Sequence, residues 1–183
     1  MSIEEKLKHL DEWWTQDLNA FVQAGFNRTD FAHMTLTSKL IFRKGTSSLI
    51  NICNDIGLPI VVLSGGITEL IDAAFKILKV EAIDLDYENI KIVANRFNYD
   101  EQRCFNSEFD PLHLGSEEIK KVSGFKVPVV HPASKQTYLY EHDKSTLPKN
   151  LIVMGDIIED SKMPRDKEHE HLVKIGFFNS QEG

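Results

Sequence analysis

The run Leu151-Ile-Val-Met154, closed by Gly155-Asp156 with a second carboxylate at Asp160, restricts this chain more than any other stretch. Four apolar residues between the Pro148-Lys-Asn turn and a glycine read as a strand buried on both faces, the kind found in parallel sheets. Open sheets of that kind are covered by helices and take ligands outside the carboxyl ends of their strands. Asp156 and Asp160 fall there. Two carboxylates in one short loop repel unless a cation joins them, and oxygen donors with room for water and phosphate suit Mg²⁺. A turn followed by an acidic helix cap uses the same letters, so the pattern alone leaves both readings open.

The remaining chain supplies the elements such a sheet needs. From Ile3 to Phe26 apolar residues recur at three- and four-residue steps behind a Ser2/Glu5 capping box, which predicts a long amphipathic helix. A shorter helix over 27–38 completes a helical segment at 1–44, read as a cap on a core at 45–183. Gly45 to Ile56 reads as a helix closed by Gly57. Leu58-Pro-Ile-Val-Val-Leu63 reads as a strand running into Ser64-Gly65-Gly66, and Thr68 to Leu78 as the next helix. Ile90–Ala94 is a further strand, 98–123 a polar hairpin or loop, and 127–130 an extended segment. Ser134–Tyr140 is helical, and Leu172–Phe178 is the last strand. Strands alternating with helices imply an α/β fold with a doubly wound, mainly parallel sheet.

Composition excludes several partners. A chain of 183 residues with 42% apolar residues can bury a sizeable core. Its net charge of −7, with 21 Lys and Arg that form no basic stripe, argues against a nucleic-acid surface. No apolar run approaches the length of a membrane span, and the acidic start Met-Ser-Ile-Glu-Glu lacks the character of a targeting peptide. Cys53 and Cys104 have no metal or disulfide spacing and read as free thiols. The expected setting is intracellular, cytoplasmic by default, without membrane insertion; association with an organelle through a complex stays open.

Three places carry groups with chemical potential. At Ser64-Gly65-Gly66 a hydroxyl and successive amides meet the positive end of a helix, a geometry that holds phosphate and equally suits a serine cap behind a glycine turn. Lys135, at the start of a predicted helix, is locally unfavourable unless an anion faces it. The Glu168-His-Glu-His171 alternation could hold a metal, yet it reads better as a solvated turn. His131 and His142 show no partner spacing.

In order, the strand-ending serine, the later lysine and the Gly-Asp-x-x-x-Asp loop resemble the second, third and fourth motifs of the haloacid dehalogenase superfamily. The likeness narrows to the pyrimidine 5′-nucleotidase family of the cytosolic 5′-nucleotidase III type. It runs through Ser2-Ile-Glu-Glu-Lys6, Glu12-Trp-Trp-Thr15, Leu58–Ile67, Ile92-Val-Ala-Asn95, Phe97-Asn-Tyr-Asp100, Val130-His-Pro-Ala-Ser-Lys135 and Leu172–Asn179. The resemblance implies a haloacid-dehalogenase-like core with a helical cap. It also implies phosphate contacts from Ser64, Gly65, Gly66 and Lys135, with Lys135 offsetting phosphoryl charge. Asp156 and Asp160 would hold Mg²⁺, and Glu12, Trp13 and Trp14 are base-contact candidates, one tryptophan being expected merely to pack.

The departures shape the functional expectation. In that family an Asp-x-Asp strand supplying the nucleophile precedes the cap, whereas this chain begins at the cap and stops near Asn179. Asp84-Leu-Asp86 has the letters but the wrong place. Ile157 stands where the family has a small polar residue, so any Mg²⁺ site is expected to be vestigial. Two readings follow: a nucleotidase-derived pseudoenzyme or structural subunit, or an active nucleoside monophosphate phosphohydrolase whose first motif lies outside this stretch. Both imply a protein partner completing or covering the sheet, because a missing central strand leaves backbone groups unpaired.

Overall fold

The computed structural model describes residues 3–81, 88–100, 121–141 and 148–178. Asp84-Leu-Asp86, Cys104, His142 and most of the polar stretch 98–123 lie outside them. The chain forms two compact units, 1–129 and 130–183.

The first unit opens with α1 (Ile3–Ala24) and α2 (Arg28–Thr37). Gly25, at φ 68°, ends α1: its N–H reaches the Val22 carbonyl while Phe26 N–H reaches Phe21. Only glycine adopts that left-handed turn without strain. Asn27 then caps α2 reciprocally with Asp30. Helix α3 (Thr46–Asp55) closes on Gly57, at φ 66°, and leads into β1 (Ile60–Ile67), α4 (Thr68–Glu81), β2 (Ile90–Asn95), β3 (Phe97–Tyr99) and β4 (Val122–Phe125).

β1 and β2 are parallel, with Ile60 opposite Ile90 and Leu63 opposite Val93; β3 and β4 are antiparallel, with Phe97 opposite Phe125. The expected 98–123 hairpin thus has its two strands at the edges of that stretch. Two apolar clusters hold the unit together. Leu18, Phe31, Ile67, Phe97, Val122 and Val129 form the larger, joined by Trp14, Phe21 and Phe26; Ile50 and Leu78 anchor the smaller beneath Phe75 and Ile90. Phe31 and Phe97 stack at 5.3 Å between centroids. The helices of 1–44 therefore bury their apolar stripe directly against strand residues.

Two expectations are corrected here. The first strand does not end at Leu63 but continues through Ser64-Gly65-Gly66 to Ile67. Four steps of β1, Leu63 to Ile67, match two of β2, Val93 to Asn95, so the serine and glycines bulge from the ladder instead of forming a separate loop. The segment 127–130 is not extended throughout: the chain bends at Val127-Pro128, whose peptide is cis.

In the second unit, α5 (Lys135–Glu141) precedes β5 (Asn150–Gly155) and β6 (His171–Gly176), a parallel pair in unbroken register from Asn150/His171 to Gly155/Gly176. Between them run two 3₁₀ turns, Ile158–Lys162 and Asp166–Glu168. Both parallel pairs follow the α/β expectation.

Candidate functional site

The candidate residues form two groups, one in each unit. In the first, the bulge in β1 is pinned from both sides. Trp14 Nε1 donates to the Gly65 carbonyl at 2.9 Å, and the Asn95 amide donates to the Gly65 and Gly66 carbonyls at 2.9 and 3.2 Å. Gly66 N–H donates to Ser64 Oγ at 3.0 Å. The Ser64 hydroxyl keeps its own proton for an acceptor, whereas the Gly66 amide is already engaged. A Cβ on Gly66 would crowd that hydroxyl, so the glycine serves the close approach. Asn95, only 3% exposed, was given no role by sequence reasoning. The signal was available: a polar residue ends an apolar strand at the same sheet edge as Ser64.

The aromatic candidates divide. Trp14 is half-buried against the main core with its N–H committed to Gly65, while Trp13 is 53% exposed and meets Trp14 edge-on at 4.5 Å. Glu12 is exposed, 3.9 Å from Lys8 and 3.5 Å from His9.

In the second unit the anion facing Lys135 is Asp160. Lys135 Nζ donates to Asp160 Oδ1 at 2.7 Å, with the side chains 11% and 8% exposed. The start of α5 is built for this: Ser134 Oγ accepts from His131 N–H and donates back to the His131 carbonyl, which fixes the turn that sets Lys135 inward. His131 itself is buried at 2% exposure. Asp160 lies directly over Gly155, where a Cβ would overlap its carboxylate. Asp156 is exposed in the bend after β5, and its carboxylate joins no ion pair among the described residues.

The metal question turns on this donor set. One carboxylate is neutralised by a buried ammonium and the other stands alone in solvent. Among the described residues no cluster of three or more His, Cys, Asp or Glu could hold an ion. These residues do not by themselves make a Mg²⁺ site. The Glu168–His171 stretch is a satisfied turn: Glu168 pairs with Arg165, Glu170 with Lys149, and His169 sits between the Pro148 carbonyl at 2.8 Å and the Tyr140 hydroxyl at 3.0 Å. Arg165 N–H also donates to that hydroxyl.

Parallel strand pairs with intervening helices, and polar groups gathered where strands end, define an α/β protein. The fold matches a crystal structure of cytosolic 5′-nucleotidase IIIB bound to cytidine with a TM-score of 0.67, at 23% identity, over 97% of this chain and 54% of that one. The chain belongs to the pyrimidine 5′-nucleotidase (UMPH-1) family, whose profile matches residues 1–182. It is 24% identical over 188 residues to the human 7-methylguanosine phosphate-specific 5′-nucleotidase, covering 98% of this chain and 54% of that protein. The putative cytosolic 5′-nucleotidase 3 of Caenorhabditis elegans is 22% identical over 185 residues, 98% and 44% respectively. The chain thus spans about half the length of the curated relatives it matches.

Proposed function

We propose that this chain is a nucleotidase-derived domain that does not turn over nucleoside monophosphates alone; of the expected phosphate-contact groups Ser64, Gly65, Gly66 and Lys135, the Gly66 amide and the Lys135 ammonium already hold partners within their own units. The observation that supports this reading is the closed Lys135–Asp160 pair: the cation that would offset phosphoryl charge and a carboxylate that would hold metal satisfy each other at 2.7 Å, out of water. Around Ser64 the bonded groups are a glycine amide, an indole and a carboxamide, none of them a nucleophile or a base. Phosphoryl transfer depends on positioning and charge stabilisation, and without an attacking group the positioning serves binding. In this reading Mg²⁺ is vestigial, reaching only Asp156 freely.

The test is phosphate release from cytidine and 7-methylguanosine monophosphates by purified chain with Mg²⁺. We expect none above buffer. Magnesium-dependent release that disappears in Asp156→Asn would establish an active enzyme instead.

The second reading, an active phosphohydrolase whose aspartate comes from another polypeptide or a longer form, is favoured by one observation, the half-length match to the relatives. Either reading includes further protein that covers the strand pairs. Among the described residues β1 pairs with β2 alone and β5 with β6 alone, and a two-stranded parallel pair rarely stands without cover. The occupant in this proposal is additional α/β polypeptide of the same fold. An intracellular setting accords with the word cytosolic in a relative's name. No described helix is long and apolar enough to cross a membrane.

A further inference from the structure

A cavity of about 210 Å³ lies between α2, α4 and the start of β3, wholly inside the first unit and apart from Ser64. Its inner wall is small or apolar: Ala32, Ala73 and Phe97 are 2%, 5% and 3% exposed. Charge surrounds that wall. Arg28, Lys76 and Arg96 bring three cations against the carboxylates of Glu69 and Asp72, and among the described residues none of the five is in an ion pair. Arg28, Asp72 and Arg96 are exposed, and Glu69 and Lys76 partly buried. Here they line one concavity.

Among the described residues two further atoms of the lining, Glu69 Oε2 and the Tyr99 hydroxyl, are buried without a hydrogen-bond partner, and the hydroxyl lies close to Glu69 and Arg28. Glu69 Oε1 accepts the Phe97 N–H, at 3.3 Å. The Arg28 guanidinium lies 4.9 Å over the Tyr99 ring, which restrains it at the opening. Burial of its carboxyl pushes Asp72 up, while nearby Arg96, Lys76 and Arg28 pull it down. Burial first, then neighbouring Glu69, pushes the Tyr99 hydroxyl above its ordinary range, which leaves it a donor at neutral pH.

We propose that this cavity binds a small oxyanion that carries a hydroxyl, hydrogen phosphate being the simplest, with Arg28, Lys76 and Arg96 taking its anionic oxygens and Glu69 Oε2 accepting its proton. The cations outnumber the carboxylates, and guanidinium forks match oxyanion geometry. The volume is below the range of about 300–1,000 Å³ typical of larger ligands. An acceptor-only carboxylate oxygen demands a donor from whatever enters, which selects a protonated oxyanion over an otherwise similar one.

Calorimetry of the full chain with inorganic phosphate and with sulfate at pH 7, without Mg²⁺, tests this. Phosphate should bind about tenfold more tightly than sulfate, which has the charge and size but no proton to give Glu69. Glu69→Gln, whose amide can donate, should erase that preference. Asp72→Asn, which removes a like charge, should strengthen phosphate binding several-fold. Arg28→Gln with Arg96→Gln should abolish the tighter, sulfate-discriminating binding and leave at most the weaker binding of the β1 bulge; both side chains are exposed, so thermal unfolding should be little changed. Sulfate-discriminating binding that survives the arginine variants but is lost in Ser64→Ala would move the anion to the β1 bulge and overturn the proposal while leaving the nucleotidase reading intact. Equal affinity for sulfate, or no phosphate binding, would also overturn it.

Discussion

Asp160 meets two demands at once: its carboxylate closes on the buried Lys135 ammonium, and the same atoms fill the space that Gly155 leaves by having no side chain. Removing one member of a buried ion pair strands the other charge, a loss of about 3–5 kcal/mol, whereas replacing both with apolar groups of similar volume is far milder. Urea unfolding of Lys135→Met, Asp160→Leu and the double variant should show that non-additivity. Gly155→Ala should cost about 1–3 kcal/mol, because the atom it adds meets a carboxylate that Lys135 holds in place. Trp14→Phe, which keeps an aromatic side chain but loses the N–H to Gly65 and part of the indole's volume, should cost about 0.5–1.5 kcal/mol for the hydrogen bond alone by the same measurement. The individual residues were legible in the sequence; their pairing was not. A lysine at a helix start announces a need for an anion, but nothing in linear spacing says that Asp160, twenty-five positions later, supplies it. Asn95 escaped for the same reason, since its role is to hold carbonyls of a strand thirty residues away.

Helices were the most legible elements because their ends carry local chemistry: Gly25, Gly57 and the Asn27/Asp30 box stop and start the chain where backbone geometry requires. Strand ends were less so. Ser64-Gly65-Gly66 looks like a loop by composition, and only Trp14 and Asn95, bonding its carbonyls, keep it within β1. The β5–β6 pair poses the opposite problem. Its uninterrupted apolar run signalled burial on both faces, yet Ile152, Met154, Val173 and Ile175 are 54%, 38%, 50% and 40% exposed, with Ile152 beside Val173 and Met154 beside Ile175. An apolar-sensing dye should bind the purified chain, and Ile152→Thr with Val173→Thr should reduce the signal while leaving the ladder formed.

At the scale of the whole molecule, the proposal of further polypeptide rests on the match to about half of each relative and on the two-stranded parallel pairs among the described residues. Sedimentation should find the isolated chain self-associated, and an apolar-sensing dye should bind whatever monomer remains. A monomer with one sharp thermal transition and no dye binding would show that the strands need no cover. The pinned bulge also has an optical consequence. The chain's two tryptophans are adjacent, one largely in solvent and the other tied to the backbone beside Ser64. Iodide should therefore quench Trp13 more than half-buried Trp14, leaving an emission dominated by the indole bonded to Gly65. A shift of that residual band on adding phosphate would record movement of the Gly65 carbonyl, so the fold carries its own spectroscopic gauge of whether the serine turn still responds to an anion.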